Sequence, residues 1–129
     1  MEEMNNSLLE NLKKDIKEIR NDAFAILIYG SYMTGNATKR SDIDACIVLG
    51  NNDKEKINGI FKKILRLSAK NEKYGIRIFE QMPLYMKMEA IENGKIIYAK
   101  SMAELNEYFY FFRKLWQDQS VNWIAREAV

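Results

Sequence analysis

No histidine occurs anywhere in this sequence, and that absence removes several chemistries at once. A Ser-His-Asp triad, a histidine general base and a His-ligated zinc site are all excluded. Chemistry must come from carboxylates, hydroxyls, amines, backbone amides, or a hard cation held by oxygen. Cysteine is nearly as scarce: Cys46 stands alone, so no disulfide can form within the chain. Its place in an apolar run suits a small buried hydrophobe rather than a reactive thiol. No apolar run approaches the ~20 residues of a membrane helix. The opening Met1-Glu2-Glu3-Met4-Asn5-Asn6 is polar and acidic, unlike a signal peptide. A cytoplasmic protein without a membrane partner is expected. The net charge of +2 is too small to indicate nucleic-acid binding. Pro/Gly-rich linkers, low-complexity tracts and internal repeats are missing too. One domain spanning residues 1–129 is therefore expected, large enough to bury a core.

What is present alternates between helical and strand patterns. Ser7-Leu8-Leu9-Glu10 reads as a capping box. Leu8, Leu9, Leu12, Ile16 and Ile19 then recur at helical spacing, until Asn21-Asp22 ends the pattern. Lys13, Lys14 and Lys17 interleave with Glu10, Asp15 and Glu18 as a solvated face. Ala23–Tyr29 is a short apolar run suited to a buried strand, stopped by Gly30. Ser31–Ser41 is a polar connection, and Ile43–Leu49 reads as a second strand closed by Gly50-Asn51-Asn52. Asn52-Asp53-Lys54-Glu55 can start a helix carrying Ile57, Ile60, Phe61, Ile64 and Leu65 on one face. Ile76–Phe79 predicts a third strand, Tyr85–Ile91 a short helix, and Ile96–Ala99 a fourth strand. Ser101-Met102-Ala103-Glu104 opens a long last helix. This order predicts an α/β or α+β domain: one sheet with helices packed on it.

The segment that carries chemistry is Gly30-Ser31, ten intervening residues, then Asp42-Ile43-Asp44. Glycine at a strand end lets the chain turn sharply and lets phosphate approach without meeting a Cβ. Ser31 adds a hydroxyl and an amide N–H. Asp42 and Asp44 are two apart, so a strand start projects both from one face, with Ile43 pointing into the core. Two oxygen ligands held together suit Mg²⁺, which keeps waters and takes further ligands from substrate phosphates. Lys39 and Arg40 are near enough in sequence to meet phosphate charge.

This arrangement after one strand and into the next resembles the signature of the DNA polymerase β-like nucleotidyltransferases. The short chain resembles their minimal nucleotidyltransferase (MNT) branch. Phe79–Leu84, Lys95–Tyr98 and the tail Tyr108–Trp116 are also similar to its members. The resemblance implies a mixed sheet of four to five strands flanked by helices. It implies an NTP donor, ATP, with one or two Mg²⁺ ions. Asp42 and Asp44 would be the metal-binding and catalytic residues, and Gly30 and Ser31 the nucleotide-binding ones. It further implies a HEPN-domain partner in a toxin–antitoxin pair, with AMP transferred to a partner tyrosine. Members of the family carry a third carboxylate on a later strand. Spacing places it near Gly75, where this sequence reads Gly75-Ile76-Arg77. Glu80 is the nearest acid, on the opposite face if the strand is regular. Met33-Thr34 stands where many relatives have an arginine. An AMP-transferring enzyme and a nucleotide-binding antitoxin that acts by occlusion both remain open. Transfer to a small molecule or an RNA end is a third reading.

The tail is aromatic. Leu105, Tyr108, Phe109, Phe112 and Leu115 follow one helical stripe and read as core, whereas Tyr110 and Phe111 fall on the other side. Exposed there, they would be covered by a second copy of the chain or by the HEPN partner. Met82, Met86 and Met88 read as core filler.

Overall fold

The computed structural model describes residues 2–30, 33 and 42–128; Ser31, Lys39 and Arg40 lie outside them. Helix α1 (Glu2–Asp15) leads through Ile16 into the short α2 (Lys17–Arg20) and strand β1 (Ala25–Tyr29). Strand β2 (Ile43–Val48), helix α3 (Lys54–Lys70) and strand β3 (Tyr74–Ile78) follow. A 3₁₀ turn (Phe79–Gln81), helix α4 (Leu84–Asn93), strand β4 (Lys95–Ala99) and helix α5 (Met102–Ala128) complete the order. The four strands form one mixed sheet in the order β3-β2-β1-β4. β1 runs antiparallel to both β2 and β4, and β2 runs parallel to β3. Among the described residues, no helix is long and apolar enough to cross a membrane.

Strand side chains alternate between faces, and helices cover both faces here. On one face Ile26, Ile28, Ile43, Ala45 and Ile47 pack with Leu12, Ile16 and Ile19, and with Ile60, Ile64 and Leu67 of α3. On the other, Leu27, Tyr29, Cys46 and Val48 meet Phe79, Met88, Ile91, Leu105, Phe109 and Phe112. Double coverage is why β1, and β2 beyond Asp44, read as apolar runs. Cys46 is fully buried, as its neighbours in sequence suggested. Met82 and Met88 are buried as core filler, with Met86 packed at the edge.

Several local expectations need correction. Ser7 lies inside α1, which already begins at Glu2, so it caps nothing. Asp53 does cap α3, accepting from the Glu55 amide at 3.0 Å, and Ser101 Oγ accepts from the Glu104 amide at 3.3 Å. The buried stripe of α3 is Ile60, Ile64 and Leu67, while Phe61 and Leu65 are half exposed, at 50% and 53%. Those two sit about 100° further round the helix, away from the sheet. Leu115 is also exposed rather than core. At 27 residues α5 outruns the sheet, and among its described side chains Phe112 is the last that the second core buries.

Candidate active site

The site is built where the end of β1 meets the start of β2. Register sets Tyr29 opposite Asp44, so the next residue, Gly30, turns away directly beside that carboxylate. It does so at φ +79°, a left-handed conformation in which a Cβ is strained. Its carbonyl accepts from the Met33 amide at 2.9 Å, starting the connection toward β2. On the other side of β2, parallel pairing sets Gly75 of β3 opposite Asp44. A 2.8 Å hydrogen bond donated by the Ile43 amide to the Lys73 carbonyl holds that register at the strand start.

Asp44 therefore lies in a slot walled by two glycines. A Cβ on Gly30 would stand 2.6 Å from Asp44 Oδ2, and a Cβ on Gly75 would stand 2.7 Å from Oδ1. Both carboxylate oxygens occupy space that any other residue pair would fill. Ile43 is fully buried on the opposite face, Asp44 is half-buried, and Asp42, one residue ahead of β2, is exposed. Burial pushes the Asp44 carboxyl above its ordinary range; the Arg77 guanidinium opposes this and the Asp42 charge adds to it. Two hard oxygen donors whose mutual repulsion Arg77 only partly offsets fit a divalent cation, with water and phosphate completing its shell. Among the described residues no group of three or more His, Cys, Asp or Glu side chains could hold a metal. The third acid is missing where spacing placed it, at Gly75.

Glu80 does not replace it. The strand ends at Ile78, and Glu80 belongs to the 3₁₀ turn, so strand alternation does not govern its side chain. Its carboxylate accepts from the Leu49 amide and the Gly50 amide, both at 3.0 Å, and from the Tyr108 hydroxyl at 2.7 Å. Those amides follow the far end of β2, about 15–20 Å from Asp44 by strand rise. The bond to Glu80 and burial together hold the Tyr108 phenol far above its usual range, burial contributing most.

Two residues beside Asp44 were not recognised as site residues from the sequence. Tyr29 is 5% exposed, and its buried hydroxyl has no hydrogen-bond partner among the described residues. Burial first, then the nearby Cys46 and Asp44, raise its phenol to about 12. Arg77 stands two residues beyond Gly75 on the same face of β3, opposite Cys46. Strand period alone puts 75 and 77 on one face; only the β2–β3 register turns that face toward Asp44. Of the sequence-derived site residues, the structure brings Gly30 beside Asp44 and places Asp42 at the same strand start. Ser31 is outside the described residues.

Comparison with known proteins gives the same picture of relatedness. The family model described as polymerase beta, nucleotidyltransferase, matches residues 9–103. A Methanocaldococcus jannaschii protein named a candidate protein adenylyltransferase is 47% identical over 95 residues, spanning 74% of this chain and 70% of that one. Among solved structures, a chain of a toxin–antitoxin complex with AMP-PNP superposes with a TM-score of 0.66 at 14% identity, covering 96% of this chain and 95% of that chain. A chain from the complex of tri-AMPylated Shewanella oneidensis HEPN toxin with MNT antitoxin gives a TM-score of 0.60 at 12% identity, over 98% and 95%. At those identities the structures establish the likeness of fold.

Proposed function

This chain belongs to the polymerase beta nucleotidyltransferase family, and from that membership we propose that it transfers AMP from ATP to a tyrosine hydroxyl of a HEPN-domain partner. The observation that carries the reading is the slot itself. Asp44 is held between Gly30 and Gly75 with Asp42 beside it, in a chain 47% identical to a protein named for adenylyl transfer. In this reading Asp42 and Asp44 hold Mg²⁺, which supplies charge neutralisation at the triphosphate. Gly30 and Ser31 receive the phosphates, Gly30 because no Cβ blocks their approach. The tyrosine oxygen forms the new bond to the α-phosphorus as the bond to pyrophosphate breaks, and its proton leaves to solvent. The HEPN partner of the solved Shewanella complex, with its AMP groups, supports the choice of acceptor.

Gly75 favours a second reading. With no acid at that position, nothing on β3 helps to deprotonate an acceptor. The protein would then bind nucleotide and neutralise its partner by complex formation, transferring slowly or not at all.

Calorimetry of Mg·ATP binding tests the site. The wild type binds, and Asp42→Asn and Asp44→Asn each weaken binding at least about tenfold, since losing even a residue that supports a metal ligand costs that much. Undiminished affinity in both variants would reject the assignment. Mass spectrometry of a co-expressed HEPN-domain partner then separates the two readings: covalent AMP on tyrosine marks the enzyme, and a tight unmodified complex marks the occluding antitoxin.

A further inference from the structure

We infer that Arg77 is a substrate-binding residue of this site, meeting a phosphate oxygen of the bound nucleotide from β3, across the gap that Gly75 leaves open. This rests on the nucleotide reading of the Asp42–Asp44 site and adds a residue to it. Parallel register sets Asp44 opposite Gly75 and Cys46 opposite Arg77, so Asp44 and Arg77 stand diagonally on one face. Strand spacing and rise put their Cα atoms about 8 Å apart. Gly75 and the fully buried Cys46 occupy the other two corners of this patch, and a side chain on Gly75 would have met Asp44 Oδ1.

Arg77 is exposed, and its charge acts on Asp44 without being consumed by it. Among the described residues it forms no ion pair within 4 Å. Its Nη1 instead rests 3.9 Å from Met86 Sδ, a weak acceptor that leaves most of the five guanidinium donors free. A second unspent donor lies on the same face: the Tyr29 hydroxyl, buried and without a partner among the described residues, next to Asp44 and Arg77 in the local field. Unspent donors beside two acids point to an anion that brings its own cation. A bare anion would be repelled by Asp42 and Asp44, whereas a metal-bound phosphate satisfies the carboxylates and the guanidinium together. Planar, bidentate contact with phosphate oxygens is what an arginine in this position offers.

Arg77→Met keeps an unbranched apolar stem while removing the charge, and Arg77→Lys keeps the charge without the fork. Calorimetry measures wild type and both variants against Mg·ATP, adenosine and Mn²⁺ alone. Arg77→Met is expected to weaken Mg·ATP about tenfold, with Arg77→Lys intermediate and adenosine unchanged. Mn²⁺ alone should bind Arg77→Met as well as wild type or better, because a repelling charge is gone. If the wild type binds Mg·ATP and Arg77→Met binds it equally or more tightly, Arg77 is only a counter-charge to Asp44 and the inference falls. The nucleotide reading then survives, provided Asp44→Asn still loses affinity. A wild type that binds no Mg·ATP overturns both.

Discussion

Asp44 sits where the two glycines permit it and where electrostatics penalises it. Its carboxyl is raised chiefly by burial, with Asp42 adding repulsion against the relief from Arg77. The folded-state value thus lies above the unfolded one, and the native state holds its proton more tightly. That contribution to stability is complete below the ordinary carboxylate range and is lost as pH rises through the folded value. At neutral pH without divalent metal, Asp44→Asn should therefore raise the melting temperature, by about 3 °C for each kcal/mol recovered. The difference from wild type should shrink as pH falls below the carboxylate range. Thermal melts in chelator across that range measure it, and a variant less stable than wild type at neutral pH would contradict the account. The same melts with Mn²⁺ should stabilise wild type and not the variant.

At the scale of elements, α5 is the part that reaches beyond its own fold. Leu105, Phe109 and Phe112 anchor it on the second core. Phe112 meets Phe79 at 5.2 Å and Tyr108 at 5.0 Å in edge-to-face contacts. Tyr110 and Phe111 point away and are 61% and 60% exposed, and Leu115 and Trp116 extend the uncovered surface. Covering an aromatic ring contributes about 1.5–3 kcal/mol before the cost of association. Replacing Tyr110 and Phe111 together by Ser should weaken assembly with a second copy or a HEPN partner. Mg·ATP affinity should hold, because neither residue is buried in the second core, Phe111 touching only the edge of it at Phe112. Sedimentation of the double variant, alone and with partner, is the measurement. A variant that unfolds, or a wild type that stays monomeric and binds no partner, would return these residues to a purely local role.

Across the whole molecule, Glu80 joins three parts of the fold at the end of β2 opposite Asp44. One carboxylate ties the end of β2, through the Leu49 and Gly50 amides, to the 3₁₀ turn and to Tyr108 of α5. Gly50, at φ +83°, makes the turn that brings its amide there. Glu80→Gln retains one oxygen for three donors, so stability should fall by about 1.5–3 kcal/mol, as for bonds to a charged group. Urea denaturation reads this loss, and calorimetry should show Mg·ATP binding close to wild type. A variant of normal stability that no longer binds Mg·ATP would mean that Glu80 serves the site after all.

Local pattern carried a good deal of this protein. The apolar run Ala23–Tyr29, the strand pattern Ile43–Leu49, the caps at Asp53 and Ser101, and the Asp42–Asp44 spacing are all properties of a few consecutive residues. Helix and strand periods are local, so their elements were legible, along with the turn at Gly30. Where helix periodicity was asked about burial it failed at Phe61, Leu65 and Leu115, because burial depends on what lies opposite and how far it extends. The β2–β3 register was beyond the sequence, since a 17-residue helix separates the two strands. That register makes Gly75 a wall of the Asp44 slot as well as a missing acid, and brings Arg77 into view of the site. It also carries the chain into the turn that commits Glu80 elsewhere. A carboxylate's role depends on the charges and donors around it, and in this fold those are supplied by neighbouring strands and helices rather than by neighbours in the chain.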